Sequence, residues 1–234
     1  MLLEITEFRR ILLVFTTQFF IILFFLTLAF ILLKRNRNRS TLMLSIFFLS
    51  VAIGFILITF GLPIKINPMA YVVYFTSVYI VFFGQIFLVL FSLDLLRKNY
   101  IIPIRAHILI ALIYGIVSFI ILSYPGGITY NIESNWRPIY SWNFLLILYL
   151  FNSLSIITPE LYISVKLFKQ FSDSRLKKKL KYFFSGTYMY YGISYGTILY
   201  NTWNNIIFQS IWIFISFLIL PAGILIYYGI GKNL

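Results

Sequence analysis

The chain has 234 residues, of which 61% are hydrophobic and 21% aromatic, and its mean hydropathy is +0.94. Only 11% of the residues are charged, whereas a water-soluble domain carries roughly a quarter, so the composition predicts an integral membrane protein. The chain has no cysteine and one histidine, His107, which excludes disulfide frameworks, cysteine-based zinc sites and iron–sulfur clusters; we expect no metal and no cofactor.

Seven segments are long and apolar enough to cross a hydrocarbon core of roughly 30 Å as helices. They lie at about 11–33, 41–62, 71–95, 102–123, 143–168, 182–202 and 206–230, and the sixth is the least apolar. No segment alternates with period two, which argues against a transmembrane barrel. The sequence therefore predicts a single all-α domain over residues 1–234, a seven-transmembrane-helix bundle.

The distribution of basic residues predicts the orientation of these spans. Fifteen of the nineteen Lys and Arg residues flank the span ends after spans 1, 3, 5 and 7, and four flank the opposite ends. Because basic loops stay in the cytoplasm, we expect the N-terminus outside and the C-terminus inside the cell membrane. The opening stretch MLLEITEFRR has two acidic residues before its basic pair, and the apolar run that follows is too long for a signal peptide. We therefore expect the first span to stay in the mature protein.

Polar side chains recur at helical spacing along span 3, and polar residues within a membrane helix turn towards the bundle interior. This stripe comprises Tyr74, Ser77, Gln85 and Ser92, with Gly84 alongside.

At the predicted cytoplasmic end of span 3, Asp94 and Arg97 are three residues apart on one helical face, so they can form an ion pair. The pair resembles the acidic–basic cytoplasmic lock of G-protein-coupled receptors. A plain interfacial ion pair is the alternative.

The outer loop between spans 4 and 5, SYPGGITYNIESNWRPIYSW, turns at Pro125-Gly126-Gly127. The loop is rich in aromatic residues. These are Tyr124, Tyr130, Trp136, Tyr140 and Trp142. They predict either an aromatic belt at the membrane interface or a lid over a pocket open to the outside.

Span 5 holds the most informative polar residue, Glu160, which follows Pro159 in SIITPELYISVKLF. Proline removes a backbone donor and tends to kink the helix. An ionised carboxylate at this depth is costly without a partner, so we expect Glu160 to be neutral or paired, with a neutral donor such as Gln85 or a span 6 tyrosine.

The same face of span 5 carries Tyr149, Asn152, Ser153 and Ser164, and this stripe should also face the interior. Its role is either structural packing or a sensing, ligand-binding or proton-coupled function.

The basic run SDSRLKKKLKYFFSG precedes span 6. Its five cations are Arg175, Lys177, Lys178, Lys179 and Lys181. We expect this run to lie against anionic lipid of the inner leaflet, with docking of a protein partner as the alternative. Nucleic acid is not an expected partner, because no stacking platform accompanies the charge.

Span 6, GTYMYYGISYGTILYN, contains Gly192 and Gly196, a spacing that permits close helix approach. Its tyrosines Tyr188, Tyr191 and Tyr195 need hydrogen-bond partners when buried, and they predict either core packing or the wall of a ligand pocket. In span 7, Pro221 predicts a kink that can act as a hinge.

The sequence lacks the motifs of common membrane and soluble enzymes. Span 7 has no central lysine for a retinal Schiff base, and HExxH, GxSxG and Walker motifs do not occur. Nor does the chain show the internal repeat of many secondary transporters. We therefore expect no enzymatic activity.

The stretch FSDSRLKKKLKYFFSGTYMYYGISYGTILYN and the ending LIYYGIGKNL resemble the seven-helix N-terminal sensor region of membrane histidine kinases. The resemblance covers mainly residues 138–234 and implies a sensory function without catalytic residues in this region. The chain departs from that family by ending at Leu234, where an output domain begins in the family. The resemblance thus implies output through a separate chain, or a fragment of a longer sensor protein.

These observations favour a receptor-like or sensory module that passes a signal to a separate cytoplasmic or membrane partner. The first alternative is a small transporter or transporter subunit with Glu160 as its coupling carboxylate. The second is a structural or assembly subunit of a membrane complex.

Overall fold

The computed structural model describes residues 2–35, 38–61, 63–96 and 103–229, with side chains from residue 15 onward. Its helices are α1 (Leu2–Arg35), α2 (Arg39–Gly61), α3 (Met69–Leu96), α4 (Ile104–Leu122), α5 (Trp142–Asn152), α6 (Thr158–Gln170), α7 (Ser174–Thr202), α8 (Ile206–Ser216) and α9 (Ile219–Gly229). Two short strands, β1 (Ile128–Thr129) and β2 (Ile139–Tyr140), pair antiparallel between α4 and α5. Helices make up 83% of the chain, which confirms the predicted all-α membrane class.

Six helical segments have the length and apolar composition needed to cross a membrane. They are Phe15–Arg35, Arg39–Gly61, Met69–Leu96, Ile104–Leu122, Trp142–Gln170 and Ile206–Gly229. These match six of the seven predicted spans and define a multi-pass membrane protein. The predicted sixth span forms the 29-residue helix α7, but its tyrosines, serines and basic residues leave it outside this set. The seventh crossing and the orientation therefore stay predictions.

When α5–α6 and α8–α9 are each counted as one bent segment, successive helical segments alternate in direction and define two ends of the bundle. The basic end is where α1, α3, α6 and α9 end and where α2, α4 and α7 begin; the hairpin end carries the β1–β2 pair. Large apolar side chains on α4, such as Ile108, Leu112, Ile116 and Ile120, are exposed. In a lipid solvent this exposure has no hydrophobic cost.

Small residues and aromatic rings shape the core. A Cβ added at Gly84 of α3 would lie 2.6 Å from the Ser50 Cβ of α2, so the glycine lets these helices approach closely. Phe25, Phe91 and Phe183 are fully buried in one cluster that joins α1, α3 and α7. A second, smaller cluster lies under the hairpin.

The fifth predicted span bends through a π-helical turn at Ser153–Ile157, between α5 and α6. The backbone N–H of Thr158 reaches the Ser153 carbonyl. Pro159 has no N–H to donate to the Ser155 carbonyl, and its ring would clash with that carbonyl in a regular α-helix. The wider turn relieves this clash, so the predicted irregularity is present and lies just before the proline.

The last predicted span is interrupted at Phe217–Leu218, between α8 and α9. Pro221 cannot donate to the Phe217 carbonyl, which instead accepts from the Leu220 N–H at 3.2 Å. The predicted kink thus occurs four residues before its proline, where the missing hydrogen bond frees a carbonyl.

Helix α7 runs antiparallel along α8 and α9. A Cβ added at Gly186 would lie 2.7 Å from the Ala222 carbonyl oxygen, and one added at Gly196 would clash with the Trp212 ring. Gly192, by contrast, has open space around its Cβ position. The predicted glycine pair is therefore half right, because Gly196 permits close approach and Gly192 does not contribute to it.

Candidate functional site

The two polar stripes predicted on spans 3 and 5 meet inside the bundle, and α7 closes the third side. We call this set the polar column. Its members are Gln85, Ser92, Tyr149, Asn152, Ser153, Glu160, Ser164, Tyr188, Tyr191, Ser194 and Tyr195. Gln85, Ser92, Asn152 and Glu160 are each at most 2% exposed. This burial confirms that both stripes face inward.

Glu160 lies at the core of the column with none of its surface exposed. Its Oε1 accepts a hydrogen bond of 2.5 Å from the Ser92 hydroxyl of α3, whereas its Oε2 has no hydrogen-bond partner within the described ranges. The predicted neutral donor from another helix is present, but it is Ser92. Gln85 lies about 10 Å further along α3 and is too distant to serve.

The tyrosines of α7 divide into bonded and unbonded members. The Tyr188 hydroxyl donates to the Ser164 hydroxyl at 3.0 Å. The Tyr191 hydroxyl is buried without a hydrogen bond in the part of the chain that the structure describes. Its ring lies 6.4 Å from that of Tyr188, whose partner Ser164 is one helical turn after Glu160. Tyr191 therefore adds a neutral oxygen with a free donor to the surroundings of Glu160.

The π-helical turn brings Asn152 and Glu160 onto one face. Asn152 and Glu160 are eight positions apart, and in a regular α-helix this spacing would place their side chains about 80° apart around the axis. A π-helical turn holds about one residue more than an α-helical turn, so the two side chains come back nearly into line. Both side-chain atoms of Asn152, Oδ1 and Nδ2, lack a hydrogen-bond partner among the described residues. A further unsatisfied polar group thus lies about two turns from Glu160 towards the hairpin end.

A reciprocal pair of hydrogen bonds links α5 to α7 at this level. The Tyr149 hydroxyl donates to the Tyr195 carbonyl at 2.7 Å, and the Tyr195 hydroxyl donates to the Tyr149 carbonyl at 3.1 Å. The Ser153 hydroxyl lies 2.7 Å from the Tyr195 hydroxyl. These contacts hold the start of the π turn against α7. Gln85 makes a further link, donating to the Ser194 hydroxyl at 3.3 Å.

Three charged or titratable side chains meet at the basic end, one from each of α2, α3 and α4. The Asp94 carboxylate lies 3.5 Å from the Arg39 Nε and 3.0 Å from the His107 Nε2. The Arg39 guanidinium also contacts the His107 Nδ1. We call this set the ionic cluster. It closes a triangle of contacts among three helices, although Asp94 is only 13% and His107 only 3% exposed.

The ionic cluster was not foreseen from the sequence, which paired Asp94 with Arg97 instead. Arg97 lies outside the described residues. The signal available in the sequence was that Asp94 and the single histidine, His107, both lie near the ends of membrane helices, where titratable residues usually have partners. Their pairing required knowledge of which helices are neighbours.

The predicted basic run forms the start of α7 and lies on its surface. Arg175, Lys177, Lys178 and Lys181 are exposed and Lys179 is half-buried. Asp173 caps this helix by accepting from the Arg175 N–H at 2.8 Å. Within the described ranges the five cations form no ion pair, and the Lys178 ammonium lies 6.0 Å from the Tyr182 ring.

The loop between α4 and α5 packs onto the hairpin end of the helices through three of its five aromatic residues. The Tyr74 ring of α3 stacks on Tyr130 at 4.7 Å, and the Tyr74 hydroxyl lies 2.6 Å from that of Tyr140. Trp136 contacts Tyr130 edge-on at 6.0 Å, while Trp142 is exposed.

An open cleft of about 350 Å³ lies where this loop meets the start of α3. It is lined by Asn67, Pro68, Tyr71, Ile128, Thr129, Tyr130 and Asn131. The loop therefore covers the hairpin end and leaves a cleft at its edge.

No known protein family, curated protein or solved structure matches the chain. The described residues hold no group of three or more His, Cys, Asp and Glu side chains that would suit a metal ion.

The polar column and the ionic cluster share helix α3. Ser92 and Asp94 are two residues apart on this helix. Ser92 donates a hydrogen bond to Glu160, and Asp94 contacts Arg39 and His107. Both sets of contacts therefore fix the position of the same end of α3.

Proposed function

We propose that the chain is a receptor-like sensory module of the cell membrane, which passes a signal to a separate membrane or cytoplasmic partner. The observation that carries this proposal is the short link on α3 between Ser92 and Asp94. One contact belongs to the interior of the bundle and the other to a cluster at the basic end. Such a link is what a module needs to convert an internal event into a change at one surface.

The mechanism follows from two alternative states of these contacts. In the state described above, Ser92 donates to Glu160 and the ionic cluster ties α2, α3 and α4 together. A stimulus that binds differently to the two states shifts their populations. Release of Ser92 would let α3 slide or rotate and repack Asp94 against Arg39 and His107.

We further propose that α7 is the seventh crossing and that the basic end lies in the cytoplasm. Helix α7 follows the whole length of α8 and α9, from Gly196 beside Trp212 to Phe183 beside Gly229, and α8–α9 is itself long enough to span. The distribution of basic residues supports the orientation. The resemblance to sensor regions of membrane histidine kinases agrees with this arrangement.

Distance measurements between spin labels test the coupling. Labels at Ile104 of α4 and Leu176 of α7, both exposed at the basic end, report on the relative positions of these helices by pulsed electron paramagnetic resonance in nanodiscs. We expect Glu160→Gln and Asp94→Asn to shift the distance distribution towards the same second population. Glu133→Gln, an exposed loop carboxylate, is the matched control. Identical distributions in all four proteins would contradict a sensory two-state mechanism.

Proton-coupled transport is the second candidate, and it is favoured by the burial of Glu160 with no basic partner among the described residues. In proteoliposomes with an imposed pH gradient and an internal pH dye, a transporter would move protons when its substrate is supplied. Glu160→Gln would fold and lose that flux. Flux that survives Glu160→Gln would exclude Glu160 as the coupling carboxylate.

A further inference from the structure

The surroundings of Glu160 are unusual for a carboxyl group buried in a membrane bundle. It has no surface exposed, and among the described residues no Lys, Arg or His lies within ion-pair distance of it. A buried ion without a counter-charge is strongly unfavourable. The carboxyl group must therefore carry a proton or have a cation that comes from solution.

The Ser92 hydroxyl donates to Glu160 Oε1 at 2.5 Å, a contact that an ionised or a neutral carboxyl oxygen can accept. Ser92 uses its donor in this contact, so its lone pairs remain available to a further ligand.

The unsatisfied oxygens nearby supply the remaining ligands. Glu160 Oε2 and the Tyr191 hydroxyl are buried without a hydrogen bond among the described residues, and unsatisfied buried polar atoms commonly mark a bound water or ion. Oxygen atoms of this kind are the ligands that hard cations prefer. Asn152 lies on the same face towards the hairpin end and is also unsatisfied, so it offers a further polar contact for a water molecule or ion.

Charge balance selects the kind of cation. One carboxylate neutralises one positive charge, and among the described residues no second acidic group acts on Glu160. A divalent ion would leave a net positive charge in a region of low dielectric, which is costly.

We propose that the polar column binds a monovalent metal cation between Glu160, Ser92 and Tyr191. Sodium is the first ion to test. Glu160 supplies the only negative ligand, Ser92 and Tyr191 supply neutral oxygens, and water completes the shell. This site stands on its own contacts and does not depend on a sensory function. The spin-label experiment can fail while cation binding succeeds, and the reverse holds equally.

Thermal unfolding of the purified full chain in nanodiscs of zwitterionic lipid tests the proposal. Sodium chloride is exchanged for choline chloride at constant ionic strength, with lithium and potassium chloride as further arms. A ligand that binds only the folded state raises its stability by mass action. We expect a saturable rise of a few degrees in the midpoint with sodium and no rise with choline.

Variants separate this site from others. Glu160→Gln should abolish the sodium-dependent rise, and Glu133→Gln, an exposed carboxylate in the outer loop, should retain it. Ser92→Ala and Tyr191→Phe should each raise the half-saturating sodium concentration several-fold. If Glu160→Gln does not fold, these two variants still test whether the cation binds at this site.

Two results would overturn the proposal. An equal response to sodium, lithium, potassium and choline would mean that no metal cation is bound and that Glu160 is protonated. A sodium-dependent rise that persists unchanged in Glu160→Gln, or in both Ser92→Ala and Tyr191→Phe, would place the cation elsewhere. Binding of radioactive sodium to the wild type, displaced by unlabelled sodium but not by choline, would provide independent support, and its absence would count against the site.

Discussion

The ionic cluster makes a quantitative prediction about the stability of the bundle. Asp94→Asn keeps the shape of the side chain and an oxygen that can contact the His107 Nε2, but it removes the charge that faces Arg39. Arg39→Gln removes the opposite charge. If the contacts of 3.0 and 3.5 Å hold α2, α3 and α4 together, each variant should destabilise the folded protein, and the two effects should not add.

The magnitude follows from the geometry. Two unit charges 3.5 Å apart attract by about 5 kcal/mol at an effective dielectric constant near 20. Desolvation of the two charged groups offsets part of this attraction. Arg39 is 25% exposed, so the pair is intermediate between a surface and a buried ion pair. Its contribution to stability should therefore lie between about 0–1 kcal/mol, the value for a surface pair, and about 3–5 kcal/mol, the loss on breaking a buried pair. We expect a coupling energy of about 2 kcal/mol, which corresponds to roughly a 30-fold change in the unfolding equilibrium.

A double-mutant cycle measures this coupling. The free energy of unfolding is obtained for the wild type, Asp94→Asn, Arg39→Gln and the double variant by steric trapping in lipid bicelles or by titration with sodium dodecyl sulfate. Glu133→Gln, an exposed loop carboxylate, should change stability by less than about 0.5 kcal/mol. A coupling energy below about 0.5 kcal/mol would refute the view that the cluster holds the basic end together.

Three further predictions concern the surface, the orientation and the packing of α7. Replacing Lys177, Lys178 and Lys179 with Gln should weaken binding to vesicles containing anionic lipid by on the order of 1 kcal/mol per charge, with the fold unchanged; loss of a protein partner at unchanged lipid binding would instead assign the run to docking. Tags in the α1–α2 and α6–α7 connections should be protected in intact cells and a tag in the outer loop accessible, and accessibility of the α6–α7 tag would reverse the orientation. Gly186→Val should destabilise the bundle by about 2 kcal/mol or more, because its Cβ would lie 2.7 Å from a backbone oxygen of α9 and overpacking of this kind typically costs about 1–3 kcal/mol, whereas Gly192→Val, with open space at its Cβ, should be nearly neutral in the same unfolding assay.

The sequence by itself determined the membrane class, six of the spans and the inward faces of two of them. Apolar runs of about 20 residues and polar side chains at helical spacing are local properties, and the membrane leaves the backbone little choice but a helix. Gln85, Ser92, Asn152 and Glu160 were therefore placed inside before any neighbouring helix was known. The irregularities near Pro159 and Pro221 were also local, because a missing N–H disturbs its own helix.

Only the tertiary structure decided which buried groups meet. Ser92 and Glu160 are 68 positions apart, as are Arg39 and His107, and their contacts depend on the depth and rotation of each helix against its neighbours. Hydropathy leaves both undetermined, since a membrane helix can slide or rotate without changing its apolar content. Side-chain packing sets them: Gly84 admits α2, Gly186 admits α9, and the π turn aligns Asn152 with Glu160. This is why the partner of Glu160 was predicted by type and not by residue, and why the ionic cluster was missed.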